Sequence, residues 1–496
     1  MRKIHFLWIA FFILGYFASF SQDGQLDASF GDNGFVQSDF FGLLDFGFDV
    51  AQQNDEAILA VGSSEIEPDK FVPTLARFLP DGNLDTSFGV DGVVVTDYNT
   101  QFGIDSYFNV VIPENQKIVT GGHFGSSSSH NIMLARYLSN GNLDPSFGND
   151  GIAITDLGDD DRFRDMEILN NGKILILGTS KVNGYKLTFI QHLPDGSLDP
   201  SFGNNGILVT NKTVLSDAVL TLNVLEDNKI LVSGEIGGEI KLLKYESDGN
   251  LDLSFGDDGV VITTPSSSYK SPLDIDAEGK IIVGLNRSVG NNESEGYLKR
   301  FLPDGSLDTS FGINGEAIIN YVNFRPVSII IQPNQQILIL GDAYYGVDSV
   351  DCIVTRFRAN GTLDTTFGSG GIATTSEVSG GNFILQEDGK IVWVGFSQFD
   401  IDLFLARYLN DPFTFGLNDQ HLNNLEVYPN PSFGNFTIEH GFITDTDIPY
   451  YITDTSGKVL QIGNLSGNQT IINLSSLQSG LYFLNTENSS LRLIKE

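Results

Sequence analysis

One phrase occurs seven times in this chain and constrains the fold more than any other feature of the sequence. Its form is D/N-G-x-L-D-x-S/T-F-G, as in DGNLDTSFG at residues 81–89. Successive copies begin 53 to 59 residues apart, and their first glycines are Gly24, Gly82, Gly141, Gly196, Gly249, Gly305 and Gly361. Seven copies at a nearly constant period indicate a repeat architecture, in which each unit packs against its neighbours.

Each unit contains four short segments with the composition of β-strands. A β-branched run such as VVVT at 93–96 follows the phrase, and a run such as TLARFL at 74–79 leads into it. Between them lie two runs joined by a polar turn, as in MEILNNGKILILG at 166–178, where Asn-Gly is a strong signal for a two-residue hairpin. No helical apolar period of useful length occurs. The chain is therefore predicted to be all-β.

Four strands in a unit of about 56 residues, repeated seven times, predict a seven-bladed β-propeller-like repeat domain. A lone four-stranded sheet cannot bury both of its faces, so the sheets must pack on one another around an axis. A β-solenoid and an open array are the alternatives, but a solenoid has shorter periods and parallel coils, whereas hairpins require antiparallel strands. The phasing does not reveal whether the ring closes by sharing a sheet between its two ends.

The segment LDTSFG within the phrase predicts one tight helical turn. Its Asp can accept hydrogen bonds from the N–H groups two and three residues later, and its Gly can adopt a left-handed conformation. The Leu and Phe are predicted to anchor the turn on a neighbouring sheet. Calcium binding is the alternative, but the spacing differs from that of an EF-hand loop. The aspartates concerned are Asp27, Asp85, Asp144, Asp199, Asp252, Asp308 and Asp364.

A basic residue recurs five positions before the first glycine of the next phrase. One copy has Gln191 instead, and the others have Arg77, Arg136, Lys244, Arg300, Arg356 and Arg407. Because this cation keeps register with the phrase aspartate in a strongly acidic chain, it predicts an ion pair between strands or between sheets. The role is expected to be structural, since a catalytic site would be asymmetric and this arrangement is symmetric.

Residues 1–21 are predicted to be a signal peptide. They begin with the basic residues of MRK and continue with FLWIAFFILGYFASF, which contains no acidic residue. Small residues suit cleavage between Ser21 and Gln22. A membrane anchor is the alternative, but an apolar run of about 15 residues is short for spanning a bilayer. We expect an exported protein with no membrane span after cleavage.

The charge and the cysteine content exclude several classes of partner and bond. The chain has 28 basic and 63 acidic residues, a net charge of −35, whereas nucleic acids and anionic lipids bind cationic surfaces. No nucleic acid partner is expected. Cys352 is the single cysteine, so an intramolecular disulfide is excluded. Other units have Ile or Leu at its position, which predicts a buried apolar role.

The repeats resemble the delta-60 repeat family, a bacterial repeat of this length whose hallmark is the L-D-x-S/T-F-G phrase. The resemblance covers residues 24–409, within a repeat domain predicted over 22–409. It implies a propeller-like extracellular module. It implies no reaction, because the family has no catalytic signature to carry over.

Residues 410–424 leave the repeat pattern and are predicted to be a linker to a second domain. Alternating runs and turns over 425–496 predict a small β-sandwich of Ig-like type. This segment resembles the type A C-terminal sorting domain of the type IX secretion system of Bacteroidota, through Tyr428, Pro429, Asn430, Pro431, Gly434, Asp454, Gly457, Lys458, Gly480 and Tyr482. The resemblance implies recognition by the type IX secretion machinery, transport to the cell surface or the medium, and removal of the domain.

No catalytic motif such as H-E-x-x-H or G-x-S-x-G occurs. His123 and His130 flank an FGSSSS loop and are interpreted as solvated, the alternative being that they meet a carboxylate or a metal. The run Asp159-Asp160-Asp161 is also interpreted as solvated, because the chain has many acidic residues. We expect no catalytic residue, no cofactor and no metal, and the protein is predicted not to be an enzyme.

The most variable segments connect what we count as the third and fourth strands of each unit, and they are predicted to share one face. Their candidate ligand-binding residues are the aromatic Tyr344, Tyr345, Phe124 and Phe399. The sequence thus favours a secreted or cell-surface, non-enzymatic binding or scaffold protein with a glycan or protein ligand. The alternatives are a purely structural or adhesive surface protein and a secreted polysaccharide hydrolase or lyase.

Overall fold

The computed structural model describes residues 23–98, 105–113, 115–126, 129–215, 219–263, 270–290, 293–345, 349–410, 425–440, 448–454, 458–465, 469–486 and 489–495. Every regular element in these ranges is a β-strand, which confirms the predicted all-β class. Within the same ranges, no helix has the length and apolar character needed to cross a membrane.

The repeat region contains 28 strands. They are β1 (Phe35–Ser38), β2 (Asp45–Gln52), β3 (Ile58–Glu67), β4 (Lys70–Phe78), β5 (Val93–Val95), β6 (Ser106–Val111), β7 (Ile118–Ser126), β8 (Ser129–Tyr137), β9 (Ile152–Thr155), β10 (Asp161–Ile168), β11 (Ile174–Lys181), β12 (Tyr185–His192), β13 (Ile207–Thr213), β14 (Leu220–Val224), β15 (Ile230–Ile236), β16 (Glu239–Tyr245), β17 (Val260–Ile262), β18 (Leu273–Ile275), β19 (Ile281–Gly290), β20 (Glu293–Phe301), β21 (Glu316–Val322), β22 (Phe324–Ile331), β23 (Ile337–Tyr344), β24 (Val350–Phe357), β25 (Ile372–Ser376), β26 (Val378–Leu385), β27 (Ile391–Ser397) and β28 (Leu403–Tyr408).

In the described part of the repeat region, these strands form seven four-stranded antiparallel sheets in a propeller-like arrangement. Six sheets take their strands in chain order, from β2–β5 (the first sheet) to β22–β25 (the sixth sheet). The seventh sheet consists of β26, β27, β28 and the N-terminal strand β1, whose Phe35 pairs with Ala406 and whose Ser38 pairs with Leu403. The two ends of the repeat region therefore share one sheet, a point that the repeat phasing alone did not reveal.

Along the chain, the phrase connects two strands of the same sheet and does not lead from one sheet to the next. In the first sheet, the copy at 81–89 connects β4 to β5, so the β-branched run after the phrase is the outermost strand of the same sheet. The variable connections consequently join the second and third strands, as between β7 and β8. The prediction that they join the third and fourth strands was wrong by one strand, because it counted strands from the phrase.

Apolar side chains pack between neighbouring sheets. One cluster joins Leu59 of the first sheet to Tyr107 and Met133 of the second, and another joins Val50 of the first sheet to Val392 of the seventh. Burying a side chain of this size contributes about 1.5–3 kcal/mol. Each sheet thus covers its faces with its two neighbours, and the first sheet takes the seventh as one of them.

The phrase forms the tight turn that its sequence predicts. In the first copy, Asp27 Oδ1 accepts a hydrogen bond from the Ser29 N–H at 3.0 Å, and the Phe30 N–H donates to the Asp27 carbonyl at 2.9 Å. Gly31 has a φ of +52°, the left-handed conformation that glycine adopts without strain. All seven phrase phenylalanines are buried, namely Phe30, Phe88, Phe147, Phe202, Phe255, Phe311 and Phe367.

Consecutive phrases are joined by backbone hydrogen bonds. The Gly31 N–H donates to the carbonyl of Asp81 in the next phrase at 2.7 Å, and the last phrase returns to the first where Gly368 donates to Asp23 at 2.7 Å. This approach requires glycine at the second position of the phrase, because a Cβ on Gly82 would lie 2.8 Å from the Gly31 nitrogen. The repeated phrase is therefore the link between adjacent sheets.

The recurring basic residue forms the predicted ion pair and a contact to the next unit. Arg356 Nε donates to Asp364 Oδ2 at 2.8 Å, Arg356 Nη1 donates to Asp23 Oδ2 at 2.7 Å, and the guanidinium lies 4.9 Å from the centre of the Phe367 ring. Burial alone would raise the pKa of Asp364, but Arg356 and hydrogen bonds from Thr366 hold it below its usual value. Arg136, Arg300 and Arg407 likewise reach the next phrase and stabilise two turns together, whereas Arg77 bonds to Gln53 and Asp55 of its own sheet.

The unit with Gln191 in place of the basic residue uses a different cation. Lys173 Nζ, from the hairpin turn of the same sheet, donates to Asp199 Oδ2 at 2.6 Å, while Asp199 Oδ1 accepts from the Ser201 N–H and hydroxyl. Both oxygens of this phrase aspartate are therefore bonded to protein donors, which hold the turn in place.

Cys352 occupies the apolar position that the sequence predicts. It is 1% exposed and packs in a cluster with Val354 and Trp393. Burial raises the pKa of its thiol well above the usual value, which keeps the unreactive protonated form.

The C-terminal region contains seven strands, β29 (Leu425–Tyr428), β30 (Asn435–His440), β31 (Ile448–Thr453), β32 (Val459–Leu465), β33 (Gln469–Asn473), β34 (Gly480–Thr486) and β35 (Ser489–Lys495). They form a three-stranded sheet in the order β29-β30-β33 and a four-stranded sheet in the order β32-β31-β34-β35. Phe436 and Ile472 of one sheet share a hydrophobic cluster with Ile452 and Leu484 of the other. Two sheets thus enclose one core, and the Ig-like type stays a prediction.

Replacing Arg356 by Ala should destabilise the repeat domain by about 3–5 kcal/mol, because Asp364 would remain buried without its cation. Arg358→Ala is the matched control: Arg358 approaches the same carboxylate at 3.6 Å, but its side chain is 38% exposed, so we expect a loss below about 1 kcal/mol. Denaturant unfolding followed by the fluorescence of Trp393, which is fully buried in the seventh sheet, measures both changes. Equal losses in the two variants would contradict the structural role of the repeated cation.

Candidate functional site

A cavity of about 650 Å³ lies on the axis of the repeat domain. Its lining includes residues from or beside the innermost strand of each sheet, which we call the first strand: β2, β6, β10, β14, β18, β22 and β26. We call it the axial cavity. It lies at the end of the sheets where the first strands begin, since its lining includes early residues of these strands such as Gly47 and Phe108. Asp45 pairs with Ser64 near the end of β3, so the connections between second and third strands lie at this end too. The axial cavity and the variable connections therefore share one face, opposite the phrases.

Five of the first strands carry a β-bulge at the same position, after the third residue or close to it. In β2, for example, the pairing with β3 skips one residue between Gly47 and Asp49. A bulge leaves the extra residue unpaired and redirects its side chain. All five unpaired residues belong to the lining of the axial cavity, namely Phe48, Phe108, Arg164, Val327 and Gly381.

The residue after each bulge is polar and ties its strand to another sheet. Asn382 of the seventh sheet donates from Nδ2 to Asp49 Oδ1 of the first sheet at 2.6 Å. Asp49 Oδ2 in turn accepts from the Val110 N–H of the second sheet at 2.8 Å. Ser328 donates to Asn382 Oδ1 at 2.5 Å. These bonds hold the floor of the cavity and join the last sheet to the first.

The lining of the axial cavity is more cationic than the rest of this acidic chain. Among its described residues are the four cations Arg162, Arg164, Lys270 and Arg325. They face only two acidic residues of the lining, Asp165 and Asp342. In a protein with a net charge of −35, the cavity is thus a local concentration of positive charge.

Burial weakens the negative charge of the two acidic lining residues. It raises the pKa of Asp165 to about 7 and that of Asp342 to about 6. Asp342 accepts hydrogen bonds from the Gly380 N–H at 2.9 Å and the Ser379 hydroxyl at 2.7 Å, which oppose the rise. Burial also lowers the pKa of Lys270, against the attraction of nearby carboxylates. The arginines therefore carry the most persistent charge of the cavity.

Aromatic rings complete the lining. Phe48 and Phe108, both displaced by bulges, stack with ring centres 5.2 Å apart. The Arg325 guanidinium lies 4.4 Å from the centre of the Tyr344 ring, a cation–π contact that holds the arginine in place. Exposed Arg325 connects the lining to the outer surface. Apolar walls with a few fixed polar groups are typical of ligand sites.

Of the four predicted ligand-binding aromatic residues, only Tyr344 lines the axial cavity. Tyr345 is 43% exposed and lies outside the lining. Phe124 stacks on Tyr98 with ring centres 4.7 Å apart, and Phe399 is 70% exposed. The structure does not bring these four side chains together, and a ligand role for the last three stays a prediction.

His123 and His130 are 9% and 7% exposed, so their interpretation as solvated loop residues was wrong. They belong to β7 and β8, which continue further toward the connection than the sequence suggested. Asp160 and Asp161 are each 1% exposed, so the interpretation of the acidic run as solvated was wrong for both and holds for exposed Asp159. Asp160 is buried because it pairs with His130 on the neighbouring sheet.

These residues form a polar cluster that is not repeated among the described residues of the other units. His130 Nδ1 lies 2.7 Å from Asp160 Oδ1, and Asp160 Oδ2 accepts hydrogen bonds from Arg162 Nε at 3.0 Å and from the Tyr185 hydroxyl. Burial alone would raise the pKa of Asp160, but these partners lower it to about 2. His123 lies 5.0 Å from the His130 ring, and burial keeps the pKa of His123 well below its usual value. Arg162 connects the cluster to the axial cavity.

The motif residues of the C-terminal domain have mainly structural contacts. Asn430 donates from Nδ2 to the Arg492 carbonyl at 2.6 Å and accepts from the Ile494 N–H at 2.7 Å, which ties the segment between Pro429 and Pro431 to the last strand. The Tyr428 hydroxyl donates a hydrogen bond to Glu439, and the Lys458 N–H donates one to Asp454. Gly434 lies close to Ser475, and the hydroxyl of Tyr482, two residues after Gly480, donates to the Gln478 carbonyl. Gly457, Ser21 and Gln22 lie outside the described residues.

Two family models match the chain. The model described as secretion system C-terminal sorting domain matches residues 426–496. The model described as domain of unknown function (DUF5122) beta-propeller matches 53–88, 116–147, 169–202, 225–255, 277–311 and 332–367. The chain carries DUF5122 β-propeller repeats and a type IX secretion sorting domain. Both resemblances read from the sequence are thereby confirmed, and the sorting domain indicates secretion or an outer-surface location through the type IX machinery.

No curated protein matches the chain. Among solved structures, it is similar to a fungal alcohol oxidase of the AA5 family in complex with copper (13% identity, TM-score 0.44, 93% of this chain and 98% of that one). It is also similar to a PL25 ulvan lyase (12%, 0.46, 78% and 96%) and to the β-propeller domain of the Trilobed protease from Pyrococcus furiosus (13%, 0.37, 74% and 99%). These distant likenesses carry no argument about activity.

Glu167 provides a test of how burial affects the carboxylates of the first strands. Burial, together with Asp165, Asp49 and Asp274 from the first strands of three sheets, raises its pKa to about 8. As pH rises, the unfolded chain loses this proton near pH 4.5 while the folded protein keeps it until about pH 8, so stability falls across this interval. Glu167→Gln should therefore raise the unfolding temperature by roughly 2–4 °C at pH 8 and leave it unchanged at pH 4.

Glu387→Gln is the control for this experiment, because Glu387 is exposed on a hairpin turn. Differential scanning calorimetry at the two pH values measures both variants. An equal shift of the unfolding temperature in the two variants, or a shift in Glu167→Gln at pH 4, would contradict the placement of Glu167 among the buried carboxylates of the first strands.

Proposed function

We propose that the seven sheets are the blades of one closed propeller and that the secreted protein binds an acidic glycan in its axial cavity without catalysing a reaction. The observation that carries this proposal is the concentration of cations in the cavity. Four of the 28 basic residues of the chain line it, on the face where the variable connections also lie.

The charge distribution supports an anionic ligand. An acidic surface repels polyanions, so a cationic cavity at the axis gives such a ligand one preferred position. Arginine presents a planar fork that matches carboxylate and sulfate groups and keeps its charge at all physiological pH values. Arg164 is the bulge residue of β10, and Arg325 is the second residue of β22. Because these strands belong to different sheets, the two arginines approach a ligand from two sides.

The shape and the aromatic lining support a sugar. A volume of about 650 Å³ lies within the roughly 300–1,000 Å³ of small-molecule sites. A sugar ring has apolar C–H faces that stack on aromatic side chains, and Tyr344 with Arg325 offers a ring beside a cation. The combination suits a uronate or sulfated residue better than a neutral sugar.

A binding role is supported by the bonding of the acidic lining residues. Asp165 Oδ2 accepts from the Leu222 N–H of the next sheet at 2.8 Å, and Asp342 accepts from Gly380 and Ser379. These carboxylates serve as acceptors that hold sheets together. A general acid or base must instead reach the bond that reacts.

A polysaccharide lyase is the second candidate, favoured by the cluster of His130, Asp160, Tyr185 and Arg162. In β-elimination a cation neutralises the uronate carboxylate, a base takes the proton from the adjacent carbon, and the leaving sugar oxygen is protonated as its C–O bond breaks. Arg162 lines the cavity, and Asp160 orients the His130 imidazole through Nδ1. These are residue types that such a reaction requires.

Tyr344→Ala should weaken binding of an oligogalacturonate by roughly 3- to 10-fold through the loss of one stacking surface, whereas the neighbouring Tyr345→Ala should not change it. Arg325→Gln should weaken binding further and reduce its dependence on salt, because one ion pair is lost. Isothermal titration calorimetry with acidic and neutral oligosaccharides measures these effects.

The same mixtures separate the two candidates. Binding of the acidic oligosaccharide without any product supports the proposal. New unsaturated product, detected by its ultraviolet absorbance and abolished by Asp160→Asn, would replace the proposal with the lyase. Binding to neither oligosaccharide, or equal effects of the two tyrosine substitutions, would overturn the axial cavity as a glycan site and favour a structural or adhesive role.

A further inference from the structure

Three carboxylates meet where the repeat domain closes. One oxygen from each of Asp39, Asp45 and Asp402 lies within 4.8 Å of the others. Asp39 belongs to the connection between β1 and β2, Asp45 is the first residue of β2, and Asp402 immediately precedes β28. The group, which we call the closure site, thus combines the first sheet with the seventh.

Asp45 is the buried member of the closure site, and one of its two oxygens has no hydrogen-bond partner. The residue is 1% exposed, and its Oδ2 accepts from the Phe40 N–H at 2.8 Å. Its Oδ1 is buried and has no donor at hydrogen-bond distance, although the Ser64 hydroxyl is near enough to oppose the rise in the pKa of Asp45. A buried polar atom without a protein partner is costly, and a bound ion is one group that would satisfy it.

The other two carboxylates are each anchored through one oxygen. Gln37 Nε2 donates to Asp402 Oδ2 at 2.7 Å, and the Gly42 N–H donates to Asp39 Oδ1. In the described part of the chain, none of the three carboxylates forms an ion pair with a basic residue. The repulsion among the three carboxylates is therefore not balanced by a protein cation, and their oriented oxygens suit a bound metal cation.

The chemistry of the closure site selects the kind of cation. All three ligands are carboxylates, the hard oxygen donors that calcium and magnesium prefer. Calcium accepts irregular coordination with backbone carbonyls and waters, whereas magnesium requires a near-ideal octahedron. Two of the ligands come from irregular connections of different sheets, which suits calcium, and the millimolar calcium outside cells matches extracellular sites with Kd of about 10⁻⁴–10⁻³ M.

We propose that Asp39, Asp45 and Asp402 bind a calcium ion that joins the first sheet to the seventh. This inference is independent of the glycan proposal, since the closure site and the axial cavity share no lining residue. The ion adds a cross-link between the seventh sheet and the first, beside the connection from β1 to β2. The secreted repeat domain is consequently expected to close more firmly outside the cell than in low calcium.

Calorimetric titration of the full secreted chain with calcium chloride, after treatment with a chelator, tests the proposal. Wild type should bind one calcium ion with submillimolar to millimolar affinity and unfold at a higher temperature with calcium than without it. Asp402→Asn should weaken binding at least tenfold and abolish the thermal shift. Without calcium, the same variant should be at least as stable as wild type, because a like charge is removed.

Asp400→Asn is the matched control, since Asp400 is an exposed acid two residues away in the same connection and its replacement removes the same charge. It should keep the affinity and the thermal shift of wild type. Absence of calcium binding by wild type overturns the proposal, and so does binding that survives Asp402→Asn or is lost equally in Asp400→Asn. Asp45→Asn supplies a second variant if Asp402→Asn fails to fold.

Discussion

The hydrogen bond from one phrase to the next, made by six of the seven phrases, is the interaction on which the rest of this structure depends. Gly31 approaches the next phrase closely enough to donate to Asp81 because position 82 has no side chain. This contact fixes the separation of the adjacent sheets that it joins. The bond from Gly368 to Asp23 makes the same contact between the last phrase and the first.

What could be predicted from the sequence depends on contacts that recur in register. The tight turn at Asp27, the ion pair of Arg356 with Asp364 and the apolar position of Cys352 all repeat with the period, so comparing the units reveals their roles. The position of the outermost strand was not visible in this way. Its identity depends on which strand it pairs with, and period alone does not assign a strand to the unit before or after it.

The candidate sites escaped the sequence because they arise from departures from the repeat. Phe48 and Phe108 reach the axial cavity through bulges, and a single-residue bulge leaves no mark in a short alternating pattern. His130 meets Asp160 across two sheets, 30 residues along the chain. Asp45 and Asp402 meet only because the ring closes, so their proximity requires the complete fold.

The two faces of the domain therefore differ in what they contribute: one supplies stability and the other varies between units. The phrase face repeats one set of contacts and supplies stability, which leaves the opposite face free to vary from unit to unit. That freedom has a cost there: burial raises the pKa values of Asp49, Asp165 and Asp342 and leaves Asp45 with an unpartnered oxygen. A symmetric scaffold held firmly at one end can tolerate such groups at the other, and these are the groups with which an anion or a cation can interact.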